Sequence, residues 1–181
     1  EFVLVAIALG AIFGLMALLL IESMEYLGRL LHPYREHPYL VASLGGAVLV
    51  VFFALFGASY VGLGSETIDR VLAGAKAPLS SCLLKIIATA ITLEIGGSGG
   101  IITPLFFIGA TSGAACAQLV GLPVEVLSTF GLIALLGAGT NTPIAAAVMG
   151  IEILPGPIGV YAALCVCTAY LIVGHRSVYP S

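Results

Sequence analysis

Long apolar stretches alternate with short polar or glycine-rich interruptions along this chain. Five stretches contain no Asp, Glu, Lys or Arg: residues 2–21, 38–65, 95–124, 126–151 and 153–174. Since about 20 apolar residues suffice to cross the hydrocarbon core of a bilayer, several of these stretches are long enough to span one. The pattern predicts an all-α membrane protein, with residues 1–181 forming a single transmembrane domain.

The interruptions divide the chain into helices of uneven length. We predict helices over these residues: 2–31, 39–56, a short one ending at 71, 79–93, one from the segment 101–104 to 120, 125–136, 143–154 and 158–173. Ser65 or Thr67 is the expected N-cap of the short helix, with Glu66 in its first turn. Several helices are too short for a clean crossing, which is typical of broken helices that meet near the bilayer midplane.

The first glycine-rich break runs from residue 96 to Pro104. Non-helical backbone at membrane depth is tolerated where it lines a cavity or is buried in protein. A proline early in the following helix predicts a helix N-terminus with free backbone N–H groups, which suits an anion. Thr103 either caps this helix or offers its hydroxyl to the ion. A tight turn that only packs two helices together remains the alternative.

A second break of the same kind covers residues 137–143. Asn141 or Thr142 is the expected N-cap of the next helix, with Pro143 at its first position. Two such breaks in one membrane chain favour an ion path, although a capped helix start without an ion fits equally.

Composition narrows the possible functions. The chain is 60% hydrophobic and 8% charged, with a mean hydropathy of +1.19, a net charge of −3 and no basic run, which excludes nucleic-acid binding. The four cysteines lie in apolar segments and are interpreted as small packed hydrophobes. We predict no metal and no cofactor.

Isolated charges inside membrane helices are candidate functional groups by default. Lys85 and Glu94 lie nine residues apart on one predicted helix, and either could reach an interface with water. Glu152, near the end of a short helix, is interpreted as interfacial or as a cap for a neighbouring element. Tyr179 follows the last helix and alone indicates an interfacial aromatic anchor.

An enzymatic alternative comes from residues 96–99, Gly-Gly-Ser-Gly. This order resembles the nucleophile signature of rhomboid intramembrane serine proteases, which pair the serine with a histidine on a later helix. Ser98 would be the nucleophile and His175 the base. His175 lies beyond the last apolar run, beside Arg176, which weighs against this hypothesis.

Several motifs together resemble the CLC family of chloride channels and transporters. Residues 99–104, Gly-Gly-Ile-Ile-Thr-Pro, are similar to the anion-binding G-x-F-x-P motif of that family. Residues 105–110, residues 137–143 with Glu152 behind them, and Tyr179 after the last helix follow in the family's order. The ordered set resembles the second half of a CLC subunit and covers essentially the whole chain.

The resemblance implies a CLC-type bundle of tilted, partly broken helices, forming the second half of an inverted repeat in a homodimer with one ion path per subunit. By motif position, the anion-binding residues are Gly100, Ile101, Ile102, Thr103 and Tyr179. Ile101 and Ile102 would supply backbone N–H groups and Tyr179 its phenol. The anion-binding serine and the gating glutamate of the family belong to the first half. The chain begins at Glu1 without Met, and we expect it to be a portion of a longer transporter.

Departures from the usual motif point to one branch of the family. Ile102 stands where phenylalanine is usual, and Thr103 stands where alanine is more usual. With the sequences of residues 140–143 and 175–181, this threonine resembles the fluoride-exporting branch. We therefore expect an integral protein of a bacterial plasma membrane that exchanges fluoride for protons across the lipid bilayer. A chloride channel or chloride/proton antiporter of the same family is the alternative.

Overall fold

A computed structural model describes residues 2–34, 36–57, 60 and 62–179. Eight α-helices account for most of this part of the chain, and a short 3-10 helix, His32–Tyr34, follows the first of them. Their bounds are α1 Phe2–Leu31, α2 Pro38–Phe56, α3 Ser65–Leu72, α4 Leu79–Glu94, α5 Ile102–Val120, α6 Val124–Gly139, α7 Pro143–Ile153 and α8 Pro157–Val173. The all-α prediction is confirmed.

Three helices, α1, α2 and α5, are long and apolar enough to cross a membrane. Helices α6, α7 and α8 are equally apolar but shorter, which agrees with the predicted mixture of full and broken spans. Large apolar side chains remain exposed on the outer surface, among them Leu119, Ile144 and Leu171. Such a surface suits lipid rather than water.

Helix α6 lies at the centre of the bundle. It contacts α1, α3, α5, α7 and α8, and its closest association is with α5. A Cβ atom added to Gly113 would lie 2.7 Å from the backbone Cα of Ser128 on α6. Glycine therefore permits the two backbones to approach more closely than any other residue would, as is common between membrane helices.

The start of α5 agrees with the prediction, whereas the end of α6 does not. Helix α5 begins at Ile102, so Pro104 has the predicted early helical position, which the first turn accepts because it needs no N–H donor there. Helix α6 continues through Gly139 instead of ending at residue 136. Gly137 and Gly139 are helical, and an added Cβ would lie 2.6 Å from the Ala146 Cβ and 2.8 Å from the Leu105 Cδ2, respectively.

The predicted N-cap of α3 was wrong, whereas that of α7 is confirmed in position. Gly64, in the left-handed conformation with φ of 72°, precedes α3, and neither Ser65 nor Thr67 caps it. Thr142 is the N-cap residue of α7 and Pro143 holds the first position, as predicted, but the Thr142 side chain makes no capping hydrogen bond. The Thr142 hydroxyl instead lies 2.6 Å from that of Thr140, so it is engaged in the preceding turn.

Helix α2 is peripheral. It packs mainly against α4, and none of its residues is buried in the described part of the chain. It approaches α4 closely at Gly45, where an added Cβ would lie 2.9 Å from the Ile95 Cβ, while Gly46 faces open space.

Candidate functional site

The chain reverses between α4 and α5 through the first glycine-rich break. Gly96 has a φ of 90°, which glycine adopts without steric cost. The Gly96 N–H donates to the Leu93 carbonyl at 3.1 Å, and the Gly97 N–H donates to the Thr92 carbonyl at 2.9 Å. These paired bonds close the end of α4 as a Schellman motif.

Helix α5 starts with unsatisfied backbone donors. Ile101 precedes the helix, its carbonyl accepts from the Leu105 N–H at 3.1 Å, and no side chain caps the terminus. The N–H groups of Ile102 and Thr103 have no acceptor within their own helix because they belong to its first turn. Such a terminus carries about half a positive charge and attracts anions.

A cavity of about 230 Å³ adjoins this break. Its wall contains Ser98, Gly99, Gly100 and Pro104 from the break and the first turn of α5. The facing wall is formed by α4, by the segment before α3 and by Phe53 of α2. The residues of α4 are Lys85, Ala88, Thr89, Thr92 and Leu93, and those of the segment before α3 are Tyr60, Gly62 and Leu63. The break therefore lines a cavity, which favours the anion-path interpretation over a turn that only packs two helices.

Lys85 is the functional candidate that the sequence placed wrongly. We expected that it could reach an interface with water, but the residue is only 3% exposed and its ammonium points into the protein. Lys85 Nζ donates to the carbonyl oxygens of Tyr60 at 3.1 Å and Gly62 at 2.6 Å. It also lies 5.1 Å from the centre of the Phe107 ring. The available signal was its position as a charged residue in the interior of the apolar helix α4, whose other charged residue, Glu94, is the last of the helix.

Four of the five predicted anion-binding residues are consecutive, at positions 100–103, and they differ in solvent exposure. Gly100 is exposed and lines the cavity, whereas Ile101 is 7% exposed and belongs to the core. Ile102 is 46% exposed and Thr103 is half-buried. The side chains of Ile101, Ile102 and Thr103 thus point in different directions. The feature common to all four residues is the backbone of the helix start.

Tyr179 lines a different cavity, of about 810 Å³, between α1 and the segment that follows α8. Glu94 and His175 line the same cavity, and Tyr179 itself is 49% exposed. The described part of the chain does not bring Tyr179 and Gly100 into one cavity. Ser98 and His175 are likewise in separate cavities, which leaves the protease pair apart.

The segment after α8 is tied back to the bundle at two points. The Val178 N–H donates to the Gly139 carbonyl at 2.9 Å, and the Ser177 hydroxyl donates to the same carbonyl at 3.3 Å. The Arg176 guanidinium donates to Glu22 and to both carboxylate oxygens of Glu25 on α1, the latter at 3.1 Å.

The carboxylates of Glu22 and Glu25 on α1 raise the pKa of the Arg176 guanidinium above its usual value. The hydrogen bond to Glu22 has the larger effect, followed by the hydrogen bonds to Glu25. These ion pairs join the segment after α8 to α1.

The remaining candidates from the sequence line neither of these two cavities. Glu152 is exposed near the end of α7. Cys82, Cys116 and Cys165 are buried and unpaired, while Cys167 is exposed on α8. The described residues include no cluster of three or more His, Cys, Asp or Glu able to hold a metal ion.

Comparison with known proteins decides the family. The family model described as "Voltage gated chloride channel" matches residues 1–174. The chain belongs to this family. Because the family consists of ion channels and transporters, the chain is an integral membrane protein and not an enzyme. This excludes the protease alternative.

Two relatives are similar to this chain in sequence. The chain is 33% identical over 184 residues to a "Chloride/fluoride channel protein" of Pseudomonas syringae, covering 98% of this chain and 40% of that protein. It is 29% identical over 145 residues to the uncharacterized protein MJ0305 of Methanocaldococcus jannaschii, covering 78% and 37%.

A solved structure of the same family confirms the fold. The crystal structure of a CLC-type fluoride/proton antiporter matches with a TM-score of 0.92 and 29% identity, over 98% of this chain and 45% of that one. The chain thus spans about two-fifths of the length of the relatives that it matches.

Proposed function

We propose that this chain forms part of a membrane transporter that exports fluoride in exchange for protons. The observation that carries the proposal is the start of α5, where an uncapped helix N-terminus follows a glycine-rich break that lines a cavity. The sequence and fold similarity to proteins described as a chloride/fluoride channel and a fluoride/proton antiporter supports the choice of ion.

The proposed binding groups are mostly backbone donors. In this proposal the N–H groups around Gly100, Ile101 and Ile102 replace part of the ion's hydration shell, and the partial charge of the helix terminus favours the anion. Fluoride holds its water strongly, so it requires close, fixed donors in exchange. The Thr103 hydroxyl would supply one more donor at this site. The Tyr179 phenol, which lines the separate cavity of about 810 Å³, would contact the anion at another point of its path.

Proton coupling is proposed for the whole transporter and not for a residue described here. By family resemblance, a gating glutamate and an anion-binding serine lie in the other half of a subunit. We also propose a homodimer in a bacterial plasma membrane. The exposed apolar side chains of Ile144 on α7 and Val160 on α8, 81% and 61% exposed, suit either a subunit partner or lipid.

Chloride is the second candidate substrate, because the matched family is described as chloride channels and one relative as a chloride/fluoride channel. The two ions are separated by a flux measurement on the complete protein in liposomes. With fluoride or chloride inside, we expect fast fluoride efflux that drives proton movement in the opposite direction, and much slower chloride efflux. Equal rates would reject the fluoride preference, and fluoride flux without proton movement would reject exchange in favour of a channel.

A further inference from the structure

The Lys85 ammonium is a buried cation without a carboxylate partner. The ion pairs between described residues all involve Arg29, Arg70 or Arg176, and none includes Lys85. The acceptors of its hydrogen bonds are two neutral carbonyl oxygens, those of Tyr60 and Gly62. Carbonyl dipoles and the face of the Phe107 ring stabilise the ammonium partially, but they do not neutralise its charge.

A charge that is removed from water normally acquires a partner of opposite sign. Lys85 lacks one, yet it borders the cavity of about 230 Å³ at the glycine break. Because a water molecule occupies about 30 Å³ in the liquid, this cavity has room for a halide ion together with several waters. An anion in the cavity would complete the environment of the ammonium.

The opposite wall of the cavity also offers donors and no acidic side chain. Gly99 and Gly100 come from the backbone stretch that leads into the uncapped start of α5, and Ser98 and Thr89 contribute hydroxyl groups to the lining. No Asp or Glu is among the lining residues. Positive potential from a full charge on one side and from helix α5 on the other therefore converges on a small polar space.

We infer that this cavity binds the transported halide and that Lys85 supplies the fixed positive charge of the site. The inference rests on the proposed function and adds a residue that the sequence motifs do not include. Lys85 also ties Tyr60 and Gly62, which line one wall of the cavity, to helix α4 through these two hydrogen bonds. The backbone donors at the start of α5 fix the direction of the anion, and Lys85 raises its affinity.

The test is the fluoride concentration dependence of flux through the complete protein in liposomes. Lys85→Gln removes the charge but retains an amide donor for the Tyr60 and Gly62 carbonyls, whereas Lys85→Arg retains the charge. We expect Lys85→Gln to raise the half-saturating fluoride concentration about tenfold or more, as loss of a charged hydrogen-bonding group does, and Lys85→Arg to stay close to the unmodified protein. Lys76→Gln, at an exposed lysine before α4, is the matched control and should change nothing.

Failure of this inference differs from failure of the proposed function. An unmodified protein that moves no fluoride would reject the function, whereas a Lys85→Gln protein with unchanged half-saturation would reject only the role of Lys85. If Lys85→Gln does not fold, Ser98→Asp decides the question in the same assay, because a carboxylate at this exposed position of the cavity lining opposes an anion and competes for the Lys85 charge. A half-saturating fluoride concentration at least tenfold higher would support the site, and an unchanged value would overturn it.

Discussion

At the residue scale, Thr103 distinguishes the fluoride and chloride hypotheses most directly. It stands in the first turn of α5, half-buried, directly before Pro104. A hydroxyl at this point adds a donor beside the free backbone N–H groups. A small, strongly hydrated ion gains more from such a donor than a larger ion does, because it approaches more closely.

We predict that Thr103→Ala lowers the preference for fluoride over chloride by about tenfold, since a hydrogen bond to a charged group contributes roughly 1.5–3 kcal/mol. The measurement is the ratio of fluoride to chloride efflux rates from liposomes. Thr103→Ser keeps the hydroxyl and should retain most of the preference. Unchanged flux and selectivity in Thr103→Ala would remove Thr103 from the site.

The sequence predicted the backbone part of the candidate site better than its side chains. The glycine break and the helix start are encoded locally, by Gly96 and Pro104, and both are where the sequence places them. Lys85 was not predicted correctly, because its acceptors at residues 60 and 62 are more than 20 positions away in the chain. Contacts of that kind depend on tertiary packing, which local patterns do not report.

At the element scale, the association of α5 with α6 organises the bundle. Gly109 and Gly113 on α5 face backbone atoms of α6 near Gly131, Leu127 and Ser128. The sequence predicted both helices, but it ended α6 at residue 136, whereas the helix continues through Gly139. Gly137 and Gly139 suggested a loop, yet they are helical because a glycine between packed helices serves close approach as well as chain reversal.

We predict that Gly113→Ala destabilises the protein by about 1–3 kcal/mol, the typical cost of overpacking a tight contact. The added methyl carbon would meet backbone atoms of Leu127 and Ser128, which cannot rotate away. Thermal unfolding in detergent measures the effect. Gly46→Ala on α2 is the matched control, because no atom lies within 4 Å of its added Cβ. Equal melting temperatures for the two variants would contradict this account of the interface.

At the scale of the whole molecule, the end of the described chain is fixed to its beginning. Arg176 joins the segment after α8 to Glu22 and Glu25 of α1, and Glu25 is shared with Arg29 at 2.7 Å. This network connects residues more than 150 positions apart. The segment that it anchors also carries Tyr179, which the family resemblance associates with the ion path.

We predict that Arg176→Gln increases hydrogen–deuterium exchange at the Val178 amide, because the bond of that amide to the Gly139 carbonyl loses its neighbouring anchor. Mass spectrometry of the peptide covering residues 174–179 gives the rate. Arg70→Gln is the control, since Arg70 pairs only with Glu66 on its own helix, at 3.9 Å. Protection that is identical in both variants would mean that the Gly139 contacts alone hold the segment.

The burial of Lys85 also affects how the chain enters the bilayer during synthesis. Helix α4 has 16 residues, fewer than the roughly 20 of a full span, and a lysine at the centre of a lone helix opposes insertion by about 2.5–3.5 kcal/mol. The Tyr60 and Gly62 carbonyls that accept hydrogen bonds from Lys85 precede α4 in the chain. Phe107, whose ring lies near the ammonium, belongs to α5, the helix that follows. We expect α4 alone to be rejected by the insertion machinery and to be accepted together with its neighbours. Glycosylation reporters on α4 alone, on α4 with Lys85→Leu, and on the segment from α3 through α5 measure this, and efficient insertion of unmodified α4 alone would refute it.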